Sequence, residues 1–561
     1  MFFKKRKKPE ISFDEILLDA SNLPSFNTGR MEGRIELPLS ERSIVSVGII
    51  FTIIAIAFMA QLFKLQILEG SEFAEKSENN RIESTLIVAE RGIVYDRNGE
   101  LIAWNELDAS GQYDFPVRAY TDRRGFGQLV GYVSYPQKDT SGFYFRTEYL
   151  GRNGIEETFE EKLHGKNGEQ IVEVNVYGDV ISRSAVLPAE AGSEIVLSLD
   201  AELSEVMHDL IATTTENNGF RSGAGAIIDV HTGEIIALTS FPSYDPEVLA
   251  DGDDVNLIAT YNNDDRYPFL NKVIGGVYVP GSIVKPIVSY AALAENIISP
   301  EKVIVSQGSI VIPNPYNPSN PAIYRDWRQS LGAMTMRDAI AYSSNVYMMT
   351  IGGGYGDQKG LGITKMREYF KLFGLGSTTG MTLSGEQKGL VPSPEWKQEV
   401  FNDDWRLGDT YLTAIGQFGF QTTPMQMLRA YAALANGGYL VTPHIIKGEQ
   451  GEKKDIGLIA SDLRVVQEGM RAAVIQDGGT ARALERKDVA VAAKSGTAEL
   501  GESKSMVNSW IAGFFPYEQP KYAFILLMEY GPRTNTVGAS SVMGKVLTWI
   551  AEHRPEYFSM E

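Results

Sequence analysis

The sequence predicts an α+β protein, with an antiparallel sheet flanked by helices. That domain is carried on a mainly β and extended region behind one N-terminal transmembrane helix. Three observations predict this. An uncharged apolar stretch runs from Ser43 to Phe63. A hairpin pattern spans Gly223 to Ser240 and turns at His231-Thr232-Gly233. Near the C-terminus, three apolar runs (Val489–Ala493, Ser509–Phe515 and Tyr522–Met528) precede an amphipathic stretch, Ser540–Glu552, which reads as a helix packed on their sheet.

At 561 residues the chain is long enough for more than one domain. Residues 1–42 form a polar, loosely ordered tail with Lys4-Lys5-Arg6-Lys7-Lys8 at its start. Residues 43–63 match the ~20 apolar residues that cross a bilayer as a helix. No small-x-small cleavage site follows them, which argues against a removed signal peptide. The tail holds eight Lys and Arg, so it is expected to stay on the cytoplasmic side and the rest of the chain outside it. The tail also holds seven Asp and Glu, so the whole acidic excess of the chain, −19 overall, lies beyond the membrane. An acidic ectodomain argues against nucleic acid as a partner. There are no cysteines, which excludes disulfides, thiol catalysis and thiolate metal sites. The five histidines are scattered without metal-ligand spacing, so no metal or other cofactor is expected.

Residues 64–192 carry no evident chemistry and read as a pedestal. A polar, helix-like stretch leads to Arg81. In the block Arg91 to Ala103, Asp96-Arg97-Asn98-Gly99 reads as a hairpin turn between two short strands. The block Gly154 to Gly165 reads as one acidic, amphipathic helix. A second domain, 193–555, opens with a strand at Ile195–Asp200 and a helix at Glu202–Thr215.

Within that domain three short motifs occur in a fixed order. Gly281-Ser282-Ile283-Val284-Lys285-Pro286 opens an apolar helical stretch, Ile283–Ile298, and places Ser282 and Lys285 three apart on one face. Pro286 lies in the first turn, where proline is tolerated. Ser343-Ser344-Asn345 follows, and then Lys494-Ser495-Gly496-Thr497 at the end of the Val489–Ala493 strand. Each motif alone is weak. A second Ser-x-x-Lys occurs at Ser299-Pro300-Glu301-Lys302, but Pro300 and its place past the helix mark it as a chance match. Together, and each on the element its chemistry requires, the three supply a serine nucleophile, a lysine base, a second hydroxyl and an anion-binding strand edge. A serine hydroxyl needs a base, and a lysine serves only when neutral, well below its reference pKa of ~10.4. Burial and a second cation, for which Lys494 is the candidate, both push it that way.

These blocks resemble class B penicillin-binding proteins, membrane-anchored transpeptidases of peptidoglycan synthesis. The resemblance runs from about Gln61 to Pro555 and takes in the Arg91–Ala103 and Gly154-Ile155-Glu156 blocks, which are similar to that family's pedestal or dimerisation region. Pro394-Glu395-Trp396-Lys397-Gln398, Gly408-Asp409-Thr410 and Ala414-Ile415-Gly416-Gln417 resemble the elongation-type penicillin-binding protein 2 within the class. The resemblance implies a penicillin-binding, β-lactamase-like transpeptidase fold. It implies that Ser282 is acylated with Lys285 as base. Asn345 then lies against Lys285 and the substrate peptide, and Ser343 relays a proton to the leaving amine. It also implies that Lys494, Ser495 and Thr497 bind a terminal carboxylate on the strand edge at Gly496, and that the backbone N–H groups of Ser282 and Thr497 form the oxyanion hole. The implied substrates are peptidoglycan stem peptides ending in D-Ala-D-Ala, with β-lactams as covalent inhibitors. The implied partner is a multi-span glycan polymerase of the shape, elongation, division and sporulation family.

Departures from the pattern matter. Some elongation-type relatives carry a metal cluster with Cys and His before the second motif, and Val311–Trp327 here contains neither residue. The stretch Asn105–Tyr149 is short, and Ser495 replaces the commoner threonine with its hydroxyl kept. Three other readings share parts of the pattern. A division-type class B enzyme would differ in the 394–417 stretch. A serine β-lactamase would need a deacylating glutamate, for which Glu386 and Glu395 are the nearest candidates. A β-lactam sensor would need a cytoplasmic effector larger than the tail.

Overall fold

The computed structural model describes residues 41–559, apart from 72, 74–80, 110, 141–143, 175–179 and 315–316. The tail up to residue 40 and most of the polar stretch before Arg81 lie outside the described residues. The chain divides into two compact units, residues 1–83 with 172–182, and residues 84–171 with 183–561.

The first unit contains an α-helix, Glu41–Phe63, whose last turn widens across Lys64–Leu68. Ile44–Leu68 has no part of its apolar surface buried, and it is long enough to cross a bilayer. It fits a single-pass membrane anchor.

In the second unit the expected hairpin at Asp96–Gly99 is present. Val94–Tyr95 pairs antiparallel with Leu101–Glu106, in a four-stranded sheet completed by Val117–Tyr120 and Ile195–Val196. Asp96 makes the turn, its Oδ1 accepting from the N–H groups of Asn98 and Glu100 at 2.7 and 2.8 Å. The expected single helix over Gly154–Gly165 is instead two short ones, Gly154–Thr158 and Glu160–Leu163, parted at Phe159. Strand Ile195–Val196 is shorter than the expected Ile195–Asp200, because Asp200 turns to cap the next helix.

That helix, α1 (Ala201–Asn218), leads into the central five-stranded sheet: β1 (Ser222–Asp229), β2 (Ile235–Phe241), β3 (Ala492–Leu500), β4 (Met506–Phe515) and β5 (Tyr522–Pro532). The order is β2-β1-β5-β4-β3, antiparallel throughout. The β1–β2 turn at His231-Thr232-Gly233 closes on the Asp229 side chain, with Gly233 in the left-handed region. Alternation along β5 shows how the sheet is built. Phe524, Leu526 and Met528 pack with Leu203, Met207 and Ile211 of α1 and with Val542, Val546 and Ile550 of the C-terminal helix α5 (Ala539–His553). Ala523, Ile525 and Leu527 face the other way, among α2 (Lys285–Ala294) and α4 (Pro424–Ala435). Both faces are therefore covered, and burial of each large side chain contributes ~1.5–3 kcal/mol.

Two expected boundaries differ. β3 begins at Ala492 and continues to Leu500, so the Lys494 motif lies inside the strand and not at its end. Helix α2 stops at Ala294, short of Ile298, because Asn296 takes a left-handed conformation (φ 53°) and the Ile297 N–H folds back to Ala292 O.

Candidate active site

Ser282 sits in a single 3₁₀ turn, Gly281–Val284, that winds directly into α2. Three remote groups pin this turn. Tyr431 of α4 donates its hydroxyl to Ile283 O at 2.8 Å, and Trp510 of β4 donates Nε1–H to Val279 O at 3.0 Å. Gly281 N–H donates to Gly416 O at 3.0 Å, an approach that a Cβ on Gly416 would block by lying 2.2 Å from Gly281 O. Ser282 is half-buried, and Lys285, three residues on, is fully buried.

The Lys285 ammonium donates to Ser343 O at 2.6 Å, Asn345 Oδ1 at 2.8 Å and Ser343 Oγ at 3.2 Å. All three acceptors are neutral. Burial pulls the Lys285 pKa down to about 7, although the Asp326 carboxylate acts to raise it. The first and second motifs are thus brought together on one ammonium group.

The second motif occupies a tight turn between helix Met336–Ala341 and helix α3 (Asn345–Gly353). Ser343 is held at φ 59°, a left-handed conformation that costs a β-substituted residue of order 1 kcal/mol. Ser344 caps α3 by accepting the Tyr347 N–H at 3.1 Å. Beneath the turn lies a carboxylate that no motif or spacing singles out. Asp326 accepts from Asn345 N at 2.7 Å, Ser344 Oγ at 2.7 Å, Ser306 Oγ at 3.1 Å and Val346 N at 3.4 Å.

The third motif runs along β3, an edge strand of the sheet. Lys494 is fully buried and its Nζ donates to Ser495 O at 2.9 Å. Burial first, and then the charge of Lys285, hold its pKa well below the usual lysine range. Gly496 is required by packing: a Cβ there would lie 2.9 Å from Ile283 Cγ2 and 3.2 Å from Pro280 O. The absence of a side chain lets β3 close on the Ser282 turn. Ser495 is half-buried and Thr497 exposed, so both hydroxyls remain reachable from solvent.

The stretch marked as elongation-type buttresses this site. Lys397 is buried and donates to Asp409 Oδ2 at 2.7 Å and to Asp404 O at 2.7 Å, tying helix Pro394–Phe401 to helix Leu407–Ala414. The latter helix leads to the Gly416 contact. The competing Ser299 is exposed and belongs to a turn closed by Lys302 N–H. Glu386 accepts from Thr379 N at 2.7 Å and Gly380 N at 3.3 Å, and Glu395 pairs with Arg367 at 3.2 Å. Neither acid is directed at the motifs. Among the described residues no group of His, Cys, Asp and Glu is arranged to hold a metal.

Residues 223–548 match the model of the penicillin-binding protein transpeptidase domain, and residues 111–197 that of the penicillin-binding protein dimerisation domain. The peptidoglycan D,D-transpeptidase MrdA of Escherichia coli K12 is 28% identical over 88% of this chain and 91% of its own. Pseudomonas aeruginosa PBP2, solved in complex with WCK 5153, is 29% identical, with TM-score 0.67 over 85% of this chain and 98% of its own. A chain solved in a peptidoglycan synthase complex that coordinates polymerization and crosslinking is 25% identical, with TM-score 0.70 over 92% of this chain and 98% of its own. A transpeptidase match that spans more than half the chain, on a sheet and three motifs so arranged, makes this chain a member of the penicillin-binding protein transpeptidase family.

Proposed function

We propose that this chain is a peptidoglycan D,D-transpeptidase of the elongation type, working through an acyl-enzyme on Ser282 and sensitive to penicillin. The observation that carries the reading is Lys285: a buried ammonium held only by neutral acceptors, poised near neutrality, one turn from Ser282. Such a lysine loses its proton near physiological pH and serves as a general base. The relatives named peptidoglycan D,D-transpeptidase and PBP2 support the substrate and the elongation role.

In this reading the terminal carboxylate of a stem peptide ending in D-Ala-D-Ala binds at Lys494, Ser495 and Thr497. Its negative charge restores the positive charge that burial takes from Lys494. Ser282 Oγ attacks the penultimate carbonyl carbon while Lys285 Nζ takes the hydroxyl proton. The developing oxyanion is met by the N–H groups of Ser282 and Thr497, each such donor worth ~2.7–4 kcal/mol. The carbon–nitrogen bond then breaks, and the proton returns through the Ser343 hydroxyl to the departing D-Ala amine, with Asn345 steadying the peptide. The amine of a neighbouring stem next attacks the ester, releases Ser282 and forms the cross-link. β-Lactams acylate the same serine.

The division of labour follows the expected segments: a cytoplasmic tail at 1–42, a single span at 43–63, a pedestal at 64–192 and the transpeptidase region at 193–555, outside the membrane. Glycan strands come from a separate membrane polymerase of the shape, elongation, division and sporulation family. A relative solved in a peptidoglycan synthase complex supports a partner of that kind. Intact-mass analysis with benzylpenicillin tests the chemistry. A stable single adduct that is absent in Ser282→Ala is expected. Rapid loss of the adduct with turnover of penicillin would overturn the reading in favour of a β-lactamase.

A further inference from the structure

Asp326 is a carboxylate that reaches the second motif from below. It is 9% exposed, and none of its hydrogen bonds is to a cationic side chain. Its two oxygens collect the N–H groups of Asn345 and Val346, the Ser344 hydroxyl and the Ser306 hydroxyl, at the open N-terminus of α3. A negative charge at that end of a helix is favoured by the unpaired N–H groups and the dipole. The same Asn345 whose N–H is held by Asp326 presents Oδ1 to Lys285 at 2.8 Å. Ser343, on the near side, is kept in its left-handed conformation by neighbours fixed on both flanks. Asp326 therefore holds Asn345 directly, and Ser343 through its neighbour Ser344, the two residues that supply all three acceptors of the Lys285 ammonium.

We propose that Asp326 is a positioning residue for the Ser282 reaction. It holds the Ser343-Ser344-Asn345 turn in register with Lys285 and supplies the negative charge that this lysine faces. The other groups around Lys285 are neutral or positive: the Ser343 carbonyl and hydroxyl, the Asn345 amide and, from β3, Lys494. Asp326 acts against burial to keep the proton on Lys285, so removing its charge makes Lys285 easier to deprotonate. The inference rests on the transpeptidase reading. It assigns Asp326 two separable effects, one on geometry and one on the acid limb of the pH profile.

The experiment is the rate of acylation of the full-length protein by benzylpenicillin as a function of pH. It compares wild type, Asp326→Asn and Ser344→Ala, with Ser282→Ala as control and folding checked by thermal melting. Asp326→Asn keeps the shape and loses the charge. It should slow acylation on the plateau by ~10–100-fold and move the acid limb down by about half a pH unit. Ser344→Ala loses one bond to Asp326 and the helix cap but keeps the charge, so it should slow acylation and leave the limb where it is. Asp326→Asn behaving as wild type, or slowing with an unmoved limb, overturns the proposal; the latter outcome would make Asp326 mere scaffold. If Asp326→Asn fails to fold, Ser306→Ala removes a donor to Asp326 from outside the motif and should slow acylation a few-fold. Wild-type rates in both serine variants would then overturn it. Failure of wild type to form a Ser282-dependent adduct would instead defeat the transpeptidase reading.

Discussion

Two buried clusters of charge in the same unit are built on opposite rules. Ahead of the three motifs, Glu156 is fully buried between Arg91 and Arg118, at 2.5 and 2.8 Å, and Arg91 also reaches Glu160 at 2.6 Å. Burial alone would raise the Glu156 carboxyl, but Arg118 and then Arg91 outweigh it and hold the group below the usual glutamate range. For Arg91, burial opposes the charge, and Glu156 and Glu160 overturn that and hold it above its ordinary value. At the candidate active site, by contrast, Lys285 and Lys494 are buried with neutral hydrogen-bond partners only. Their charges are weakened where those around Glu156 are fixed. Matched charges keep buried groups ionised, and unmatched ones let a buried lysine give up its proton.

The comparison can be broken or sharpened by substitution. The largest effect is expected for Lys285→Ala, which should lower the rate of benzylpenicillin acylation by ~10²–10⁴-fold while thermal melting shows the fold retained. Next is Glu156→Ala, which takes the carboxylate from buried Arg118 and leaves buried Arg91 with Glu160 alone. It should cost ~3–5 kcal/mol in denaturant unfolding and leave acylation at low denaturant near wild type. Equal damage to both readouts would mean that the two clusters are not separable. Lys494→Met should reduce acylation by ~10–100-fold, as expected for a hydrogen bond to a charged ligand group.

Stability should then rise with pH in two separate windows, one for each cluster. The Lys285 pKa is about 7 folded and 10.5 for an ordinary exposed lysine, so the unfolded chain binds more protons between those values. Stability therefore rises with pH across that window, and the rise should be shallower in Lys285→Met. Glu156, depressed when folded, gives stability that is present above the unfolded glutamate range and lost as pH falls through its folded value; Glu156→Gln should remove that acid-side loss. The smallest change is expected for Glu160→Gln, whose carboxylate is 27% exposed and should be worth under ~1 kcal/mol.

What could be read from the sequence divides along the same line. Ser282, Lys285, Ser343, Asn345 and Lys494 stand out because their chemistry demands those residue types in short fixed spacings, and the structure brings Lys285, Ser343 and Asn345 onto one ammonium. The groups that hold them do not stand out. Tyr431 and Trp510 reach the Ser282 turn from helices and strands well over a hundred residues away, and no local pattern marks a tyrosine as a support for a carbonyl. Asp326 is a single acid in a polar segment, without period or motif. The end of β3 was misplaced for a related reason. Lys494 to Glu499 is polar enough to read as the end of a strand, yet an edge strand with a solvent-facing side carries such residues without penalty.

The order of strands in the sheet has a consequence for how the enzyme comes into being. Ser222 on β1 meets Glu529 on β5, 307 residues later, and β1 has no other strand on that side. A chain emerging from its N-terminus therefore presents the β1–β2 hairpin with one side unpaired until nearly all of the remaining sequence has arrived. Pairings this distant in sequence form late and slowly. The Lys494 strand joins the sheet only through β4 and β5, so it can take its place beside the Ser282 turn only once those late strands have arrived. Assembly of the three motifs is thereby tied to completion: a chain cut short before β5 carries Ser282 and Lys285 but lacks the finished sheet that sets Lys494 beside them.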